Sequence, residues 1–231
     1  VHQASGIHVL KALLSENRFR VHKIEVMQQR RAEYESYLSK AKAKGWTINV
    51  VKSLKDTSAR QYGIVSYFDF KFEDTSYINS AIHKKILMLD RLQDPHNFGA
   101  CMRSAAAFGV DAVIVPQRSS APVNQIVHQI SCGGSVIVPI IQVQNLRQEM
   151  SELKDKGFWF VATDERAATD FSALDHTMPL CLVMGSEGEG VKQSIKDSCD
   201  YQVAIQTVDH FSTLNVSVAT GVLLSQWYSH S

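Results

Sequence analysis

Apolar and polar residues recur along this chain with two different periods, and the switches between them lay out its elements. In "GIHVLKALLSEN" (6–17) Ile7, Leu10, Leu13 and Leu14 fall at helical spacing, which predicts an amphipathic helix. "RVHKIEVM" (20–27) alternates every second residue like a half-buried strand. "RAEYESYLSKAKAKG" (31–45) returns to the helical period until Gly45 stops it. "WTINVVK" and "QYGIVSYFDF" read as two further strands, so residues 1–68 form a small α/β unit. No element is predicted for the first five residues.

Residues 69–85 (DFKFEDTSYINSAIHKK) have weak periodicity and mixed polarity, as a linker would. From residue 86 the pattern becomes regular. "ILMLDRL", "AVIVP", "SVIVPIIQV", "FWFVAT", "LCLVMG" and "YQVAIQ" read as apolar strands. "FGACMRSAAAFG", "PVNQIVHQIS", "NLRQEMSELKDKG", "VKQSIKDSC" and "NVSVATGVLLSQWYS" read as helices between or after them. Continuous apolar strands alternating with helices predict a mostly parallel sheet covered on both faces, a second α/β domain over 86–231.

Composition narrows the function classes. No apolar run approaches the roughly 18 residues of a membrane span, and the first residues lack the regions of a signal peptide, so a cytoplasmic protein is expected. The four cysteines (Cys101, Cys132, Cys181, Cys199) are scattered outside any CxxC or His-rich spacing, which predicts buried reduced thiols and no metal. The net charge of +1 conceals a division. Residues 1–67 hold 12 Lys and Arg against 5 Asp and Glu, whereas residues 68–231 hold 12 against 18. A basic unit beside an acidic one suggests a polyanionic partner for the first.

Ligands of parallel sheets gather at the carboxyl ends of strands, so the loops there are where chemistry is sought. Three are unusual. In "DPHNFGACMRSAAAFGV" (94–110) Pro95 and Asn97 are expected to make a turn, and Arg103 to sit near the start of the helix, sharing a face with the small Gly99 and Ala107. A cation there opposes the helix dipole, which points to an anionic ligand; the alternative is a surface arginine paired with Asp94. "MGSEGEGV" (184–191) is neither a dinucleotide fingerprint nor a Walker loop, and Glu187 and Glu189 would repel phosphate. It suits ribose hydroxyls, amines or a cationic ligand; an acidic surface turn is the bland alternative. "IQTVDHFSTLNVSVATG" (205–221) offers Ser212, Thr213 and Asn215 as caps of the helix that follows, more than capping alone requires.

In order and spacing these three segments resemble the motifs of the SpoU family of RNA ribose 2′-O-methyltransferases, over roughly residues 86–228. "GIHVLKALL" and, more loosely, "QYGIVSYF" are similar to the small RNA-binding domain, of a ribosomal-protein fold, in bacterial 23S rRNA guanosine 2′-O-methyltransferases. The resemblance implies a SPOUT α/β domain with a C-terminal trefoil knot, a homodimer, S-adenosylmethionine as cofactor and RNA, most of all 23S rRNA, as partner. Carried over by position, the cofactor contacts are Gly185, Ile205 and Leu214, largely through backbone atoms. The catalytic group is Asn97, Arg103, Glu187 and Asn215, with Thr213 where the family commonly has serine.

The reaction so implied is in-line displacement, a ribose 2′-oxygen attacking the sulfonium methyl while the protein positions the reactants. Arginine side chains do not give up their proton in proteins, so Arg103 is expected to bind the phosphate beside the target ribose and to stabilise the developing alkoxide, rather than to act as a base. Competing readings are a tRNA ribose methyltransferase, a non-catalytic RNA-binding protein, and a nucleotide-dependent dehydrogenase. The glycine spacing and the acidic loop disfavour the last.

Overall fold

The computed structural model describes residues 1–208 and 213–230; Ser212, expected as a helix cap, lies outside the described residues. The chain opens with strand β1 (His2–Ser5), helix α1 (Ile7–Ser15), β2 (Val21–Met27), α2 (Arg31–Ala43), β3 (Thr47–Val51) and β4 (Ile64–Phe68). They form a four-stranded sheet in the order β1-β4-β2-β3, with β4 antiparallel to both neighbours and β2 parallel to β3. The apolar stripe of α1 explains its place: Leu10 and Leu13 are buried with Ile24, Leu38, Ile64 and Phe68 in one core. Strand β1 was not expected. Its four residues have no apolar pattern, and it is made a strand by pairing with β4.

The second part contains β5 (Lys85–Leu89), α3 (Pro95–Ala107), β6 (Ala112–Pro116), α4 (Gln125–Ile130), α5 (Gly134–Ile137), β7 (Ile140–Val143), α6 (Leu146–Asp155), β8 (Trp159–Thr163), β9 (Thr169–Asp170), β10 (Leu180–Met184), α7 (Gln193–Lys196), β11 (Tyr201–Ala204) and α8 (Val216–Ser229). Its seven strands lie in the order β7-β6-β5-β10-β8-β11-β9, and every described pair is parallel. Successive strand residues feed opposite cores, as the two-residue period demands. Leu87, Leu89, Val113, Val115 and Leu182 face one apolar cluster with Phe98 of α3 and Leu223 of α8. Ile86, Met88, Ile114 and Val183 face the other with Met150 and Leu153 of α6. "SVIVPIIQV" is not one strand. Its first half is the short helix α5, entered through Gly133 at φ 88°, and the strand begins only after Pro139.

Residues 69–84 join the two sheets along the β7 edge, where Glu73 bridges to Ile141 and its N–H donates to the Ile140 carbonyl at 2.9 Å. The two parts are packed together. Val136 of α5 belongs to the core of the first sheet, Arg18 donates to the Val136 and Ile137 carbonyls at 2.5 and 2.7 Å, and the Gln3 amide donates to Gln125 at 2.7 Å. All four cysteines are free; Cys101 and Cys181 are buried, Cys132 and Cys199 half-buried. No helix among the described residues is long and apolar enough to cross a membrane.

Candidate active site

Strand β10 lies between β5 and β8, with β11 beyond, so the loops leaving β5, β10, β8 and β11 converge at one end of the sheet. The first begins α3. Asp94 Oδ1 accepts the His96 N–H at 2.9 Å and Pro95 occupies the first helical position, where its missing N–H costs nothing. The helix therefore starts earlier than its apolar spacing suggested. Asn97 is its third residue rather than a turn residue, and is buried. Gly99 lets α4 approach, since a Cβ there would come within 2.7 Å of the Ile130 Cβ. Arg103 is the ninth helical residue, well beyond the first turn to which the dipole is confined, so its placement carries no dipole penalty. Nor does it pair with Asp94. Arg103 is exposed and makes no hydrogen bond or ion pair among the described residues.

The second loop follows β10. A Cβ at Gly185 would overlap the backbone of Gly190 and Val191, so only glycine lets the loop fold back on itself. Gly188 and Gly190, at φ 84° and 64°, complete the turn, and the Gly190 N–H donates to the Ser186 carbonyl at 3.0 Å. Two residues not singled out in the sequence hold it in place. Buried Asp90 accepts the Lys192 N–H at 2.8 Å, and Arg91, at φ 57°, pairs with Glu189. That hydrogen bond raises the Arg91 guanidinium above its usual pKa. The two glutamates thus have different jobs: Glu189 is committed to Arg91, and Glu187 is not.

The third loop ends at α8, which Asn215 caps. Its Oδ1 accepts the Ser217 N–H at 2.8 Å and hydroxyl at 2.6 Å, while its Nδ2 donates to Asn97 Oδ1 at 3.1 Å and to Glu187 Oε1. One amide therefore ties the three loops together. Beside this cluster Gly185, Glu187, Ile205, Thr213 and Leu214 line a cleft of about 430 Å³. Asn97, Asn215 and Arg103 do not line it, although Asn215 is bonded to Glu187, which does. Across the cleft Lys196 Nζ meets Asp164 Oδ2 at 2.6 Å, and this contact holds the Asp164 carboxyl below its ordinary pKa. The sequence signal for Asp164 was its position one residue past β8. Behind the cluster, burial pushes the Cys101 thiol up to about 12, with its Sγ 3.5 Å from Thr220 Oγ1, so this thiol is packing rather than chemistry.

The cleft offers a glycine turn whose backbone is open to a ligand and an exposed carboxylate without a cationic partner among the described residues. Such a set suits a ligand with positive charge near Glu187.

Comparison with known proteins gives the family, over a stretch that contains all three loops. The model of the SpoU rRNA Methylase family matches residues 84–225. A Staphylococcus epidermidis protein named for the TrmH family of tRNA/rRNA methyltransferases is 43% identical over 148 residues, 64% of this chain and 59% of its own. The 23S rRNA (guanosine-2′-O-)-methyltransferase RlmB of Vibrio parahaemolyticus is 45% identical over 139 residues, 60% of this chain and 56% of its own. The chain thus spans under two thirds of the length of these relatives. The S-adenosylmethionine-bound rRNA methyltransferase of Sinorhizobium meliloti has the same fold at 21% identity, with a TM-score of 0.80 over 99% of this chain and 87% of the other.

Proposed function

Because this chain belongs to the SpoU rRNA methylase family, we propose that it methylates the 2′-oxygen of a ribose in RNA, a guanosine of 23S rRNA, using S-adenosylmethionine and acting as a homodimer. The observation that carries this reading is the Asn215 amide. It joins Asn97 and Glu187 beside a cleft lined by Gly185, Ile205 and Leu214. The residues fit the cofactor: the cleft has room for much of it, its wall is backbone at the glycine turn, and Glu187 offers a carboxylate to a sulfonium. When bound, S-adenosylmethionine supplies an electrophilic methyl on a good leaving group. The chain's own work is to hold and orient. Gly185, Ile205 and Leu214 present backbone to the cofactor, Asn215 fixes the Glu187 carboxylate, and Thr213 places a hydroxyl at the rim.

Arg103 stands apart from the cleft of its own chain, exposed and unpaired among the described residues. The homodimer supplies its place: Arg103 of one copy reaches the cleft of the other, binds the phosphate next to the target ribose and steadies the alkoxide. The basic first sheet grips RNA phosphates.

The test is transfer of labelled methyl from S-adenosylmethionine to RNA of cells lacking this protein, with ribose methylation mapped on separated 23S rRNA and tRNA. A new 2′-O-methylguanosine in 23S rRNA is expected. Label confined to tRNA would move the substrate assignment, and no label in either would overturn the reading. Dimer complementation tests Arg103. Arg103→Ala and Glu187→Lys, each inactive alone, regain activity when mixed if the arginine acts across the dimer, and stay inactive if it acts within one chain.

A further inference from the structure

Three parallel strands end at the cleft, side by side in the order β10-β8-β11. Gly185 and Ile205, two of the proposed cofactor contacts, each come one residue after a strand, Gly185 after β10 and Ile205 after β11. Asp164 comes one residue after β8, the strand between them. Its N–H continues the ladder, donating to the Val203 carbonyl of β11 at 3.0 Å. All three residues line the cleft. Neighbouring strands lie about 4.8 Å apart, so a ligand that touches both Gly185 and Ile205 passes Asp164 on the way.

The side chain there is prepared to accept hydrogen bonds. Asp164 Oδ1 accepts the Arg166 N–H at 2.9 Å in an Asx-turn, and Oδ2 accepts Lys196 Nζ at 2.6 Å. A carboxylate has about four acceptor sites, so each oxygen keeps one free. The side chain is 17% exposed, which leaves it within reach of a ligand in the cleft. Lys196, foremost, holds the carboxyl below its ordinary pKa, so at neutral pH it accepts and does not donate. Lys196 also offsets the charge of Asp164, which leaves the sulfonium to Glu187, a carboxylate without a cationic partner among the described residues. Two oxygens with one free site each match a pair of adjacent hydroxyls, and the cofactor carries such a pair on its ribose. Its adenine amine matches less well, because a ring nitrogen beside that amine would set an acceptor against the same carboxylate.

We propose that Asp164 accepts the 2′- and 3′-hydroxyls of the S-adenosylmethionine ribose, with Lys196 as the positioning residue that fixes its carboxylate. The assignment rests on the methyl-transfer reading above and adds to it the residue that recognises the nucleoside. In dinucleotide-binding sheets an acidic side chain likewise meets a ribose hydroxyl near a glycine turn.

Two ligands separate this contact from a merely structural role: S-adenosylhomocysteine and its 2′,3′-dideoxyribose analogue, each titrated by calorimetry. Asp164→Asn keeps the turn, because an amide oxygen also accepts the Arg166 N–H, and loses the charge. Asp164→Ala removes both acceptors. The unaltered protein should bind the dideoxy analogue about 10- to 100-fold more weakly than S-adenosylhomocysteine, the worth of hydrogen bonds to a charged group. Both variants should lose a similar factor for S-adenosylhomocysteine and almost nothing for the analogue. Lys196→Met leaves the acceptor but frees it to turn, so the preference between the two ligands should shrink without vanishing; an unchanged preference would strip Lys196 of its role. Equal losses for both ligands in the Asp164 variants would reduce the residue to a piece of wall. That result, or an unaltered protein that binds the two ligands alike, would overturn the contact and leave the methyl-transfer reading standing. An unaltered protein that binds neither would overturn that reading and the contact with it.

Discussion

The side-chain oxygen of Asn215 caps α8 while its nitrogen joins Asn97 and Glu187, so structure and chemistry meet in one residue and substitutions can part them. Serine at this position keeps an N-cap and loses the donor. Asn215→Ser should therefore leave thermal stability nearly unchanged while single-turnover methylation collapses. Asn215→Ala should lose both, with about 1 kcal/mol of stability gone, or about 2–4 °C in a chain of this size. Equal activity in the serine variant would confine the residue to capping. Arg103 divides differently. If its planar fork grips phosphate, Arg103→Lys should fail almost as badly as Arg103→Ala with cofactor binding intact. Activity that survives in the lysine variant and climbs with pH would instead make this position a base. Sequence carried these residues unevenly. Asn97, Glu187 and Asn215 stood out as polar side chains in strand-end loops, whereas the division of labour between Glu187 and Glu189 did not, because it depends on Arg91, 98 positions away.

Among the elements, α3 is held on three sides, and its neighbours fix where Arg103 points. The tightest approach is α5, where a Cβ on Gly134 would lie 2.5 Å from the Met102 carbonyl oxygen and 3.2 Å from the Arg103 Cα. Gly134→Ala must push the helix aside. We expect a loss of about 1–3 kcal/mol in urea unfolding and a slower methyl transfer at saturating RNA, with cofactor affinity kept. An alanine variant with the native transfer rate would show that α3 tolerates the shift. The same contact explains what was legible in the pattern. β5, β6 and β10 are buried on both faces, so their apolar runs announce them. α5 is a single turn set by a glycine pair, and its Val136 and Ile137 carry a strand's composition; only Gly133 in the left-handed region and its packing against Ala12 and His8 make it a helix start. β1 exists only through β4.

At the scale of the whole molecule, the two parts are joined around a buried histidine. His128 is fully buried, with His2 Nδ1 2.9 Å from its Nε2 and Ser135 Oγ 2.8 Å from its Nδ1, and Phe68 and Phe70 pack against its ring. Burial lowers the His128 pKa to about 3 and lowers that of His2 as well, with nearby Asp69 opposing the effect on His2. The unfolded chain titrates these imidazoles near 6.5, so below that pH it takes up protons that the folded chain refuses. Stability contributed by the neutral pair is thus complete above about pH 6.5 and drains as the pH falls towards 3, at no more than about 1.4 kcal/mol per pH unit for each proton. Urea midpoints measured from about pH 7.5 to pH 5 should show that decline in the unaltered protein and a flatter course in His128→Gln, which cannot titrate. Parallel curves would mean that the joint is indifferent to its histidine. A flattened one would tie the seating of the first sheet against α4 and α5 to an uncharged imidazole.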